Sequence, residues 1–420
     1  MRRPLRILIA ADTYPPDVNG AARFTARLAA GLAGRGHEVH VVAPSDTGPV
    51  SAPVPRDGAP SVHRLRSHRV PGQERFRFST PGTASAGTER VLRAVRPDVV
   101  HVQSHFPVGR GLLGAASGAG YPAVATNHFM PENLLEHARV PDALAERVSG
   151  WAWRDLGRVY AAADAVTAPT PRAVELLVSR TGLPARAVSC GIDLARFGGA
   201  AEPDPEPTVL FVGRLEREKR VDELIRAFSL VPGRARLEVV GDGTRRQGWT
   251  ALARDLGLAS RVRFRGTVDD DELVAAYRRA TVFCMPGVAE LQSLVTLEAM
   301  AAGRPVVAAD AVALPHLVRP GHNGLLYRPG DVAGLAAALN AVLDDPAGRA
   351  RMGEASRELV ARHAMDGTLD AFEDVYAGVR TTAGRVLAGT RVTLSDTPHR
   401  REQRLPMAAA GVADTVGPRG

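Results

Sequence analysis

The stretch Phe211-Val212-Gly213-Arg214-Leu215-Glu216-Arg217-Glu218-Lys219-Arg220 ends an apolar run at a glycine and then presents two cations, Arg214 and Lys219, five residues apart. Such a pair, ahead of a helix starting near Asp222, suits a diphosphate. A departing nucleoside diphosphate develops negative charge, and fixed cations stabilise that transition state more than the ground state. The same residues also make a salt-bridged helix entry, with Glu216 and Glu218 as partners. Lys219 stands out because it is the single lysine among 53 basic residues, the other 52 being arginine. A compact ammonium serves a phosphate site where the broader guanidinium does not fit.

A second constellation is Glu290-Leu291-Gln292-Ser293-Leu294-Val295-Thr296-Leu297-Glu298-Ala299-Met300-Ala301-Ala302-Gly303-Arg304-Pro305-Val306-Val307. It orders a strand end, an acid, a helix start, a second acid and the next strand. Eight residues apart, Glu290 and Glu298 cannot share one helix face, so Glu290 belongs to the loop and Glu298 to the helix, and each can read a different hydroxyl. The amides of Ser293, Leu294 and Val295 open that helix and offer N–H groups and a positive dipole end to phosphate. In the first half, His128 closes the run Ala123-Val124-Ala125-Thr126-Asn127 and faces the same cleft, although a lone histidine is often structural. His105, in Gln103-Ser104-His105-Phe106-Pro107, is a candidate for the acceptor side. Asp269-Asp270-Asp271 reads as a helix cap rather than a metal site.

Short apolar runs must position these groups. Leu5–Ala11, Val39–Ala43, Val99–Val102, Ala123–Thr126, Ala165–Ala168 and Ala187–Ser189 alternate with helical patterns in the first half, and Val209–Val212, Leu237–Val240, Val262–Phe264, Val282–Met285 and Val306–Ala309 repeat the pattern in the second. These are buried parallel strands of two consecutive α/β units. Between them the glycines and prolines of residues 198–207 form a hinge. Ligands of such sheets bind beyond the carboxyl ends of the strands, so two facing units enclose a cleft. The expected domains are 1–200 on the acceptor side, 201–365 on the nucleotide-sugar side, a helix over 366–380 that returns to the first domain, and a disordered tail over 381–420.

Length suits two domains. No apolar run approaches the ~20 residues of a membrane span, and the amino terminus reads as a first strand rather than an export signal. Cys190 and Cys284, the only cysteines, exclude a disulfide scaffold and a multi-cysteine zinc site. Charge is uneven: residues 1–200 hold 24 basic and 16 acidic residues, whereas 201–365 hold 22 of each and 366–420 hold 7 of each. Within 51–96, nine arginines meet three acids, with Phe76 and Phe78 interleaved in Arg75-Phe76-Arg77-Phe78. That segment is either a footing on anionic lipid or a solvated loop. No nucleic-acid module accompanies it.

From Leu5 to about Arg380 the chain resembles the family-4 retaining glycosyltransferases of GT-B fold, similar to phosphatidylinositol mannosyltransferases and diacylglycerol glycosyltransferases. The acid-x7-acid element followed by Ala-Met-Ala-Ala-Gly-Arg-Pro-Val-Val carries the resemblance, with Gly213-Arg214-Leu215 and Lys219. The resemblance implies two Rossmann-like domains facing a cleft, a GDP- or UDP-linked sugar donor, no cofactor and no metal. It implies that Arg214 and Lys219 hold the diphosphate, Glu290 the sugar hydroxyls, Glu298 the ribose, and Val268 in Gly266-Thr267-Val268 the base. His128 then bonds the transferred sugar, and Tyr14 joins His105 on the acceptor side. Asp12-Thr13-Tyr14-Pro15-Pro16-Asp17-Val18-Asn19-Gly20-Ala21 is similar to the family's glycine loop, in which Gly20 approaches the donor. The chain departs from the family at Ala21, where a second glycine is usual, and at Leu291-Gln292-Ser293, where an aromatic-glycine pair is frequent; the latter is expected to alter sugar selectivity.

The expected activity is transfer of mannose or glucose to a lipid or lipid-linked acceptor by a cytoplasmic protein, peripheral at the inner membrane face. Alternatives are a soluble acceptor such as inositol phosphate or a small natural product, a sugar-nucleotide epimerase, and a non-catalytic scaffold. Oligomeric state is not legible.

Overall fold

The computed structural model describes residues 3–387 except 18, 49, 51–57, 71–72, 132–141, 200–204 and 234. The centre of the hinge, Glu132 and Asn133 after the His128 run, the tail from 388, part of the basic stretch and the side chains of residues 70–76 therefore lie outside the described residues.

Two parallel sheets carry the fold. The first takes β1 (Arg6–Ala10), β2 (Glu38–Pro44) and β3 (Ser61–Leu65). A separate hairpin, β4 (His68–Val70) with β5 (Gln73–Phe78), interrupts it before β6 (Val99–Val102), β7 (Ala123–Thr126), β8 (Ala165–Ala168) and β9 (Arg186–Ala187) complete it. The second comprises β10 (Thr208–Val212), β11 (Arg236–Val240), β12 (Val262–Gly266), β13 (Val282–Met285), β14 (Val306–Ala309) and β15 (Gly324–Tyr327). Strand order is β3-β2-β1-β6-β7-β8-β9 in one and β12-β11-β10-β13-β14-β15 in the other. Both orders reverse direction beside their first strand, between β1 and β6 and between β10 and β13, which is where doubly wound sheets open a crevice for ligand. The central strands are buried along their whole length. That is why they read as short, mainly apolar runs: both faces are covered by helices.

Both sheets belong to one compact unit, Met1–Ala383. The carboxyl-terminal helix Met365–Leu387 crosses back to the first sheet, continuing past Arg380. Its Leu369, Phe372, Val375, Tyr376 and Val379 share a core with Ile7, Ile9, Phe24, Leu28 and Val124. Burying each large side chain stabilises this docking by about 1.5–3 kcal/mol. At its centre Tyr376 meets Nδ1 of the fully buried His101 at 2.8 Å.

Burial drives His101 down to about 3, and His105, His128 and His363 to about 4. These imidazoles are neutral in the folded chain but gain protons near pH 6.5 once unfolded. The unfolded form therefore binds more protons as pH falls from 6.5 toward 4, and stability is lost across that window. At pH 5 the loss from His101 alone is about 2 kcal/mol. Calorimetry at pH 7 and pH 5 checks this: a lower melting temperature at pH 5 is expected, and an unchanged one contradicts it.

Candidate active site at the facing strand ends

The Arg214 loop leaves β10 at Gly213. Its shape depends on a second turn, Gly241-Asp242-Gly243 at the end of β11. Gly213 N–H donates to Val240 O (3.0 Å), Leu215 N–H to Asp242 O (2.9 Å) and Arg245 N–H to Leu215 O (2.9 Å). A methyl group on Gly241, where φ is +128°, would fall 1.9 Å from Gly213 O, and one on Gly243 2.5 Å from Leu215 O. Only hydrogen fits at either position, so these two glycines set how closely the turn backs the loop.

From that loop Arg214 reaches Glu218, Nη2 to Oε1 3.0 Å, and Lys219 Nζ contacts Glu290 Oε1. The Lys219 and Glu290 side chains are 15% and 11% exposed, so the ion pair is largely shielded from water yet open at one side. Val288 N–H donates to Glu218 O at 3.0 Å, tying the loop after β13 to the loop after β10. Arg214, Lys219 and Glu290 are thus gathered at the switch point of the second sheet. Glu218 holds Arg214 as the salt-bridge reading expects, and its Oε2 has no partner among the described residues.

Beyond Glu290, Ser293 stands at the N-cap of the helix Leu294–Ala301 but its side chain makes no capping bond. Ser293 Oγ instead accepts from Thr296 Oγ at 2.8 Å. The mouth of this helix abuts the glycine loop, because a methyl group on Gly20 would lie 3.8 Å from Leu294 Cδ1. Gly20 opens its own helix, Gly20–Gly34, capped by Asn19 Oδ1 accepting from Ala22 N–H at 2.8 Å.

Glu298 sits deeper than an open ribose contact requires. The residue is 2% exposed and its carboxylate accepts from Tyr277 Oη at 2.9 Å. Burial raises its pKa, opposed by Arg27 and Arg23 from the first helix, by the Tyr277 bond and by Arg196. Arg27 Nε and Nη2 have no hydrogen-bond partner among the described residues. Val268 is half-buried after β12, and Asp269 next to it accepts from Glu272 N–H at 2.8 Å as a helix cap.

On the opposing side, His128 Nε2 bonds Gln103 Oε1 at 2.8 Å, its ring lies 4.9 Å from Phe24, and its Nδ1 is 3.9 Å from Cys190 Sγ. Gln103 continues to His101 Nε2 at 3.1 Å, so a buried polar chain ties His128 to the carboxyl-terminal helix through Tyr376. With Gln103 Oε1 turned to His128, the imidazole donates from Nε2 and keeps Nδ1 as an acceptor. Burial depresses its pKa to about 4, so it meets a ligand as a neutral hydrogen-bonding group.

Tyr14 is half-buried with the Arg64 guanidinium 5.4 Å from its ring centroid. His105 is elsewhere: 3% exposed and packed against Phe106 and Phe129, with ring centroids at 4.4 and 5.0 Å. An imidazole enclosed by aromatic rings has no face for an acceptor. In the basic stretch, Arg77 turns inward to Ser67 (Nε to Oγ 2.8 Å) and Arg64 to the carbonyls of Pro15 and Pro44. Both guanidiniums are committed to holding loops together, not to a charged footing.

Three further contributors act through contacts that no motif announces. Asp12, directly after β1, caps the helix that begins at Pro107 by accepting from Val108 N–H (2.9 Å) and Gly109 N–H (3.1 Å), which fixes the Gln103–His105 loop. The Gly241–Gly243 turn is the second. The third is Leu291-Gln292: Leu291 packs with Met130, Ala168 and Ala173, and its carbonyl accepts from Thr170 Oγ at 2.9 Å. Gln292 Oε1 accepts from Cys190 N–H at 2.8 Å while its Nε2 donates to Ser189 Oγ at 3.0 Å. Leu291 and Gln292 thereby join the Glu290 loop to the opposite half, at the shoulder of His128.

Comparison with known proteins gives the family. Residues 18–196 match the profile of Glycosyltransferase Family 4, and residues 196–359 that of Glycosyl transferases group 1. A GDP-mannose-dependent alpha-mannosyltransferase of Mycobacterium tuberculosis is 35% identical over 342 residues, covering 78% of this chain and 85% of the relative. A D-inositol 3-phosphate glycosyltransferase of Streptomyces avermitilis is 32% identical, covering 90% and 88%. Among solved structures, a sucrose-phosphate synthase from Thermosynechococcus elongatus superposes with a TM-score of 0.75 at 22% identity, over 91% of this chain and 100% of the other. Anabaena HepE in complex with UDP and glucose gives 0.71 at 18% identity, over 89% and 100%. The chain is a nucleotide-sugar-dependent glycosyltransferase and belongs to family 4, with the two Rossmann-like domains of the GT-B fold.

Proposed function

We propose that this glycosyltransferase moves mannose from GDP-mannose to a lipid or lipid-linked acceptor at the cytoplasmic membrane face, with retention of anomeric configuration and without a metal ion. The observation that carries the reading is the Lys219–Glu290 ion pair beside Arg214 at the sheet's switch point. Lys219 and Arg214 supply fixed positive charge to the departing diphosphate, which is worth most when the charge is fully developed. Glu290, anchored by Lys219 through one oxygen, uses the other to accept from a sugar hydroxyl. His128, neutral and held by Gln103, faces the sugar from the opposite half. No carboxylate nucleophile is assigned to the far face of the sugar, so the leaving phosphate takes the acceptor's proton on the same face that the acceptor attacks. The new bond forms where the old one breaks, and configuration is kept.

The choice of GDP-mannose rests on the mannosyltransferase relatives, at 35% and 34% identity. The lipid acceptor rests on the basic excess of the first half. A soluble acceptor is the second reading, favoured by relatives named D-inositol 3-phosphate glycosyltransferase at 31–32% identity. Transfer from GDP-mannose is assayed with lipid extract and with inositol phosphate, each with and without EDTA, and the anomer is assigned by NMR. Transfer into the lipid fraction, undiminished by chelator and with the α configuration of the donor, is expected. An inverted product, loss of transfer in EDTA with recovery on manganese, or transfer to inositol phosphate alone each overturns part of the proposal.

A further inference from the structure

We infer that the outer face of the helix Asp142–Tyr160 is a contact surface for the anionic headgroups and interface of a lipid bilayer. The inference rests on the lipid-acceptor reading and names where the membrane would meet the chain. Leu144 is 45% and Trp151 55% exposed, whereas Ala152, Trp153, Leu156, Val159 and Tyr160 on the other side of the same helix are buried. Arg147, Arg154 and Arg158 are exposed as well. At about 100° per residue, Leu144, Trp151, Arg158, Arg147 and Arg154 fall within an arc of about 80°, one continuous stripe.

Single exposed apolar residues are ordinary, but two on one stripe among three arginines are not. Among the described residues none of these arginines pairs with a carboxylate. Of the acids whose side chains are described, Glu146 lies about 120° from the centre of the stripe, and Asp155 at its margin is engaged by Arg110 of a neighbouring helix. An indole and a leucine at interface depth, with guanidiniums reaching headgroup phosphates, match the chemistry of an anionic bilayer surface.

Topology places the stripe usefully. β7 and β8 are parallel neighbours joined through this helix, so it runs antiparallel to them. Tyr160 Oη donates to Thr126 O at 2.9 Å and Asp155 meets Arg110, so the Arg158 end of the stripe lies at the carboxyl ends of the strands, where β7 leads into His128, and the stripe runs about 20 Å from there to Leu144. A bilayer against it holds a lipid acceptor beside the site.

The chain carries its own probe, because Trp153 and Trp249 are 1% and 7% exposed and only Trp151 faces solvent among the three tryptophans. Full-length protein is mixed with phosphatidylglycerol–phosphatidylcholine vesicles and with pure phosphatidylcholine vesicles, and fluorescence and co-sedimentation are read. Expected are a blue shift and co-sedimentation with the anionic vesicles alone, weakened by salt. Trp151→Phe removes the shift, and the Arg147→Gln/Arg154→Gln/Arg158→Gln variant lowers partition by about a hundredfold. No binding by the native chain, undiminished binding by the triple variant, or binding to RNA in place of vesicles overturns the inference. GDP binding is followed in the same samples: its absence in the native chain would instead sink the assigned activity, and its retention in the triple variant shows that the variant is folded.

Discussion

Lys219→Ala lowers turnover by about three orders of magnitude while leaving the far-ultraviolet circular dichroism of the chain unchanged. Removing one preorganised electrostatic contact from a shielded site typically costs 10²–10³ in rate. Here the ammonium also anchors Glu290, so its loss withdraws charge from the leaving group and frees the carboxylate that meets the sugar. Lys219→Arg does not restore the rate. A planar guanidinium presents its donors as a fork and cannot reproduce the single-point contact of the ammonium with Glu290 Oε1. The pair sits at loop ends rather than in a sheet core, so the fold persists. Steady-state kinetics beside circular dichroism checks this. A Lys219→Ala variant within tenfold of native turnover contradicts it.

Gly243→Ala lowers kcat/KM by about a hundredfold without touching any group assigned to ligand. Its new methyl would stand 2.5–2.7 Å from the O, C and N atoms of Leu215, all backbone, so the Arg214 loop must shift to admit it. Displacement of about 1 Å at a positioned cation costs roughly that factor. Gly248→Ala, in the adjacent helix with nothing within 4 Å of the added atom, serves as the control and keeps full activity. Equal activity in the two variants would show that the turn does not set the loop.

How far the sequence leads depends on whether neighbours in space are neighbours in the chain. β6, β7, β13 and β14 are legible to the residue, since strands covered on both faces are mostly apolar, with the buried His101 and Thr126 as polar exceptions. β3, Ser-Val-His-Arg-Leu, is not: as an edge strand it is only half-buried until Leu65 and carries polar residues. β15 hides behind the Gly321–Gly324 turn as a four-residue edge. Arg214, Lys219 and Glu290 stand out because each follows a strand end at a telling spacing. The polar bonds of Gln292 to Cys190, Tyr277 to Glu298 and Asp12 to Val108 join residues 21 to 102 positions apart, and no local pattern announces them. Counting arginines over 51–96 likewise cannot reveal that Arg64 and Arg77 point inward, while of the two tryptophans on the helix Asp142–Tyr160 Trp151 points out and Trp153 in.

The claim beneath all of this is that Arg214 and Lys219 neutralise a nucleoside diphosphate at the facing strand ends. Calorimetric titration of GDP and UDP into the native chain and into the Arg214→Ala/Lys219→Ala variant tests it most directly. Saturable binding by the native chain, with affinity at least a hundredfold weaker in the variant, is the predicted result, at about 1.4 kcal/mol per tenfold. Equal affinity in the two proteins would contradict it and move the diphosphate away from these cations.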